Sequence, residues 1–153
     1  MVRIMGVFLD TGFYLGLCHP KDLHAQESEK ILKLLSTGEH GLLYSSNLII
    51  SEVTTLAAVR SNNNVNVLNH LGNLIWGKQK IATVLHFESY LESETWELFK
   101  KINTIDLKDS RPMSFVDVSS IILCQHHQID KIISFDPHFD RFLEKIKILR
   151  ISD

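Results

Sequence analysis

Three layers, with helices on both faces of a central, mainly parallel five-stranded sheet, make up the α/β architecture that the sequence predicts. Three observations carry it. Short apolar, β-branched runs recur along the chain, helical patterns separate them, and one helical segment is apolar nearly all round. Strands alternating with helices imply right-handed crossovers, and hence parallel strands buried on both faces.

In chain order, Met5–Leu9 reads as a buried first strand that runs into the turn Asp10-Thr11-Gly12. Residues 22–35 are rich in helix formers and stop before Thr37-Gly38. Gly41–Ser45 is a second strand, and Asn47–Arg60 a helix capped by Ser46 or Asn47. After the polar break at 61–64, helix resumes over 65–76, and Ile81–His86 is β-branched enough for a third strand. Between Phe87 and Ile102, the residues Phe87, Leu91, Leu98, Phe99 and Ile102 share one helical stripe, with Trp96 off it. A loop over 103–112 leads to the apolar helix Ser114–His127, and Lys131–Phe135 and Lys147–Ile151 complete the five strands.

The 153 residues fit one domain, 1–153, which buries roughly 70% of the surface its unfolded chain exposes. The formal charge of −2 gives no global basic excess, so contact with nucleic acid must come from local patches. Basic residues do gather in the second half, Lys100, Lys101, Lys108 and Arg111 among them, and read mainly as solvated surface. Cys18 and Cys124 stand far apart and form no C-x-x-C pair, which excludes a zinc ribbon or a redox motif and fits a reducing cytoplasm. Asp10 interrupts the only apolar stretch that resembles a signal core, and no run approaches the roughly 20 residues of a membrane helix. A soluble, cytoplasmic protein is expected.

Sites in open parallel sheets form beyond the carboxyl ends of the strands. Asp10 follows the first strand and Asp136 the fourth, Asp117 sits in the first turn of the helix before the fourth strand, and Glu52 lies early in the helix after the second. These four carboxylates converge on one edge. Two unit charges about 5 Å apart repel by roughly 3 kcal/mol at an effective dielectric of 20, so the cluster calls for a cation. Hard Mg²⁺, or Mn²⁺, suits all-oxygen ligands, and in nucleases such ions polarise phosphate and activate water.

Each acid also has a local reading. Asp10 fits the N-cap of a short helix, Ser114 and Asp117 a capping pair, Glu52 a polar helix face, and Asp136-Pro137 a turn. Asp140 is either a water-mediated ligand or a surface residue, and His138 either touches phosphate or faces solvent. The histidines form no H-E-x-x-H, and no P-loop motif occurs. A phosphatase of the strand-end Asp type would want a second carboxylate where Gly12 stands.

In this order the motifs FLDTGF (Phe8–Phe13), Ser51-Glu52, SFVD (Ser114–Asp117) and SFDPHFD (Ser134–Asp140) resemble the PIN-domain ribonucleases, VapC-type toxins included. The resemblance spans nearly the whole chain. It implies a PIN-like fold and a metal-dependent endoribonuclease using Mg²⁺ or Mn²⁺. Asp10, Glu52, Asp117 and Asp136 would be its acids, with Thr11 and Ser114 as nearby hydroxyls; Asp140 would support them only by its spacing from Asp136, not by the resemblance. It implies an RNA substrate, a small antitoxin as partner and a homodimer. Trp96, off the apolar stripe of its helix, is either the anchor of that dimer, with the 61–102 helices contributing to the interface, or is covered by the 65–76 helix within the monomer. The other readings are an RNA-processing nuclease without an antitoxin, and a catalytically weak PIN domain that binds RNA or a partner. Gly12 departs from the small hydroxyl residue frequent in the family, and the long segment 61–102 has no role that transfers.

Overall fold

The computed structural model describes residues 6–139 and 149–151. Its strands are β1 (Gly6–Leu9), β2 (Leu42–Ser46), β3 (Thr83–Leu85), β4 (Lys131–Ile133) and β5 (Leu149–Ile151). They lie in the order β3-β2-β1-β4-β5, and every pairing is parallel. Side chains are described for β1 to β4. β1, at the centre, is buried along its whole length, as a strand between helical layers must be. Its register sets Phe8 beside Tyr44 of β2 and Ile132 of β4, so the three strands end together, just before Asp10.

Among the described residues six α-helices cover the sheet: α1 (Thr11–Cys18), α2 (Ala25–Leu35), α3 (Asn47–Arg60), α4 (Val65–Ile75), α5 (Glu92–Lys101) and α6 (Phe115–His126). The sequence reading placed all but α1, where it expected a turn and carried a short helix beginning at Asp10 only as the alternative. The miss has a physical cause. From Phe13 to Cys18 every residue of α1 is buried, so no polar face marks the 3.6-residue period that reveals a surface helix. Close packing against α2 depends on Gly16, because a Cβ there would run into the Ser28 side chain and stand 2.9 Å from the His24 carbonyl oxygen.

Capping fixes where the helices begin. Ser46, not Asn47, caps α3: its hydroxyl accepts from the Ile49 N–H at 3.2 Å. Asn47 instead accepts from the Phe87 N–H at 2.7 Å, tying the end of β3 to α3. Asn64 caps α4 by accepting from the Asn66 and Val67 N–H groups. Asn62 and Asn63 take the left-handed conformations that turn α3 into α4, a backbone region asparagine tolerates better than most residues.

The helix expected over 87–102 is divided. A 3₁₀ turn at Ser89–Leu91 precedes α5, and a π-helical turn at Ile102–Asp106 follows it. Of the expected stripe, Phe87, Leu91 and Ile102 are buried, whereas Leu98 and Phe99 are only partly covered. Thr95 is fully buried instead, its hydroxyl donating to the Leu91 carbonyl at 2.8 Å. Trp96 is 50% exposed and stacks on Phe99 at a centroid distance of 5.4 Å. Among the described residues no helix is long and apolar enough to cross a membrane.

Candidate active site

At the carboxyl ends of β1 and β4 lies a cavity of about 360 Å³, lined by Asp10, Glu52, Asp117 and Asp136 together with Thr11 and Ser114. Six of the seven predicted site residues therefore meet in one place. The seventh, Asp140, lies outside the described residues.

Each acid is placed by its own element. The Asp10 N–H donates to the Ile133 carbonyl at 3.1 Å, extending the β1–β4 ladder by one step and fixing the carboxylate at the sheet's edge. Asp10 occupies the N-cap position of α1 but makes no side-chain capping bond. Its Oδ2 accepts from the buried Ser134 hydroxyl at 2.7 Å, while Oδ1 is buried with no hydrogen-bond partner among the described residues. Glu52, in the second turn of α3, is held by α1, since Thr11 Oγ1 donates to its Oε1 at 2.8 Å. Asp117 stands in the first turn of α6, where Ser114 Oγ accepts from its backbone N–H at 3.1 Å. The Asp117 carboxylate still lines the cavity, so capping and site roles coexist.

Asp136 is also turn chemistry and site residue at once. Its Oδ1 accepts from the His138 N–H at 2.9 Å, and its own N–H donates to Ser134 Oγ at 3.1 Å. The carboxylate is clamped by one guanidinium nitrogen, Arg111 Nη2, at 3.2 Å and 3.1 Å from its two oxygens. His138 packs against the same acid, with Nδ1 3.6 Å from Oδ1.

Burial and mutual repulsion leave their mark on the titration of the acids. Burial pushes Asp10 up to about 6, helped by the charges of Glu52 and Asp136 and opposed by its hydrogen bonds from Ser134 and Thr11. Burial likewise raises Asp117 to about 7, with Asp10, Asp136 and Glu52 adding to the rise and Ser114 opposing it. A folded chain that holds carboxylates in this state lowers its own stability near neutral pH. Packing of β1, α3, α6 and the segment after β4 must enforce it.

The donor set is one a hard divalent cation takes: carboxylate oxygens on one cavity, one of them buried and unpartnered. The acids are not already closed around a point, for among the described residues no three candidate ligands form a ready-made ion site. Glu52, Asp10 and Asp136 are each engaged by a neighbour, Thr11, Ser134 and Arg111 respectively. The residues fit the ion; loading it would exchange the Arg111 contact for a metal contact.

Sequence reasoning gave no site role to Arg60, Arg111, Ser134, His24 or Phe135, and counted Arg111 only among the basic residues of the second half. Ser134 was legible in principle, two residues before Asp136 in the quoted motif. Arg111 lies in a segment without period or motif, and no local signal marks it. Phe135 accounts for Gly12. A Cβ at residue 12 would stand 3.3 Å from the Phe135 ring, which is itself stacked on His24 at 4.1 Å. Glycine there makes room for the ring pair at the cavity wall, where a larger residue would press on it.

No family model matches the sequence, and no curated protein matches it. Solved structures do match its shape. Mycobacterium tuberculosis VapC20, described as a sarcin-ricin loop cleaving toxin, is 21% identical with a TM-score of 0.70, over 88% of this chain and 93% of that one. Rickettsia felis VapBC2, bound to a DNA fragment from its promoter, is 12% identical with a TM-score of 0.69, over 97% of this chain and all of that one. FitAcB from Neisseria gonorrhoeae is 12% identical with a TM-score of 0.62, over 95% and 96%. At these identities the likeness is one of fold, and the chain has the PIN-like α/β fold that its motifs predict.

Proposed function

We propose that the chain is a metal-dependent endoribonuclease in which Asp10, Glu52, Asp117 and Asp136 hold Mg²⁺ or Mn²⁺, and that it acts as the toxin of a VapBC-type toxin–antitoxin pair. One observation carries the activity. A buried aspartate with an unpartnered oxygen shares its cavity with three other carboxylates, an arrangement that costs stability unless a cation balances it. The toxin role is supported by the fold shared with VapC20 and VapBC2.

Bound among these acids, the ion supplies Lewis-acid polarisation of a phosphodiester and a water of lowered pKa. The chain does the positioning. Ser134 and the Ile133 carbonyl fix Asp10, Thr11 aims Glu52, and the first turn of α6 aims Asp117. Arg60 and Arg111 line the same cavity and counter the repulsion that an anionic RNA backbone would meet there. The Arg111–Asp136 pair is largely solvent-exposed on the arginine side, so exchanging it costs little.

An antitoxin of the kind the toxin role requires would present a basic side chain to the acid cavity, in the place Arg111 now holds. A homodimer through the α5 face, anchored by the half-exposed Trp96, completes the reading. The purified chain should cleave single-stranded RNA with Mn²⁺ or Mg²⁺ and lose at least about a hundredfold in rate on Asp10→Asn or Asp117→Asn, since an amide keeps the shape but not the charge. Equal cleavage by parent and both variants under matched metal would place the chemistry elsewhere. Metal-independent RNA binding without cleavage would favour a binding module.

A further inference from the structure

A second cavity, of about 520 Å³, lies where α1 ends and α3 turns into α4. His19, Lys21, Arg60, Asn62, Asn64 and His70 are among its lining residues, and among the described residues no carboxylate lines it. Its chemistry is thus opposite to that of the acid cavity, yet Arg60 lines both. The two are joined along the same pair of packed helices. α1 leads from Asp10 to Cys18 and α3 from Glu52 to Arg60, eight residues in each case, or about 12 Å of helix from an acid to the rim of the second cavity.

The carbonyls at the ends of α1 and α3 would by themselves repel an anion. At α3 they are largely taken up, by Ser61 N–H to Ala57 at 3.1 Å, Asn62 to Val59 at 3.3 Å and Asn63 to Ala58 at 2.8 Å, while at α1 the His19 N–H donates to Leu15 at 3.0 Å. The local field then falls to Lys21 and Arg60, both exposed. Carboxamides and imidazoles around them offer donors and acceptors, which suits base edges and ribose hydroxyls as well as phosphate. Among the described residues His19 Nδ1 is buried without a hydrogen-bond partner, an unmet polar atom that costs stability until something supplies a partner.

The geometry points to a strand-binding subsite: this cavity takes a nucleotide of the RNA flanking the bond to be cut, with Arg60 meeting the backbone between the two cavities. The inference rests on the ribonuclease reading of the acid cavity and adds the path of the substrate to it. A single polyanion accounts for both the cationic lining and the sharing of Arg60. An acidic protein segment would account for the first alone.

The test measures binding of a short fluorescent single-stranded RNA to the full chain in EDTA, across a salt series, with cleavage assayed separately in Mn²⁺. Lys21→Glu and His70→Ala should weaken binding about tenfold and about threefold, and Lys21→Ala should lower the salt slope by about 0.7, the value for one lost contact to a single strand. All three should melt at the parental temperature. If they bind RNA as the parent does while acid-dependent cleavage persists, the subsite is overturned and the ribonuclease reading stands. The subsite is equally overturned if Lys21→Glu loses a poly-glutamate peptide but not RNA, which assigns the cavity to a protein segment. A parent that neither binds nor cleaves RNA removes both readings together.

Discussion

The acid edge and the α5–α6 seam are opposite in physical character. At the edge, four carboxylates share one cavity, and burial with mutual repulsion lifts Asp10 and Asp117 toward neutrality. Along the seam Trp96 stacks on Phe99, Phe99 lies 6.2 Å from Phe115, and Phe115 meets Phe87 edge-on at 6.1 Å. The edge is an unfavourable arrangement imposed by the surrounding fold; the seam is a favourable one left half open, with Trp96 and Tyr90 exposed. Imposed repulsion points to an ion, and unfinished apolar packing points to a protein surface.

The sharpest way to break this contrast is through pH. Asp10 and Asp117 both have folded-state pKa values above the ordinary 3.8. The metal-free protein therefore binds more protons folded than unfolded between about pH 4 and pH 7. Its stability is greatest relative to the unfolded chain below that window and is lost as pH rises through about 6 to 7. Asp117→Asn removes the share of this loss that Asp117 carries. In EDTA it should be more stable than the parent at pH 8 by about 1 to 3 kcal/mol, with the gain vanishing near pH 4. Equal denaturation midpoints for the two proteins at pH 8 would mean that burial and the neighbouring charges do not hold the Asp117 carboxylate at a cost.

Trp96→Ala probes the seam, and its effect on the monomer should be smaller, below about 1 kcal/mol, because half of the ring already faces solvent. Association is where the loss should show. Sedimentation of the parent at micromolar concentration should give a dimer, and of the variant a monomer. A monomeric parent removes the seam from the account.

Smaller still is the expected effect of Arg111→Ala. Arg111 holds Asp136 as an ion would, through an exposed pair worth up to about 1 kcal/mol. Removing it should tighten Mn²⁺ binding about two- to fivefold and weaken RNA binding. Looser Mn²⁺ binding would make Arg111 a support of the acids rather than a competitor.

Legibility from sequence followed the same divide. The strands and amphipathic helices were readable because their burial is one-sided or short-run, and the acids because each sits at a strand end or first helical turn that sequence can place. α1 was not, since a helix buried all round carries no period. The partners of the acids divided by distance along the chain. Ser134, two residues from Asp136, was within reach of a local reading. Arg111, 25 residues away from Asp136, meets it only through the fold. The aromatic seam was partly legible: periodicity placed Trp96 off the stripe, but the buried Thr95 and the π-helical turn after α5 reflect packing that no local pattern encodes.

Whether the imposed repulsion exists to hold an ion is decided by titrating Mn²⁺ into the metal-free chain in a calorimeter at pH 7.5, beside Asp10→Asn. The account predicts saturable binding by the parent, a melting temperature that rises in millimolar Mn²⁺ relative to EDTA, and the loss of both in the variant. The same melting temperature in EDTA and in millimolar Mn²⁺ and Mg²⁺, with no saturable heat, would contradict it.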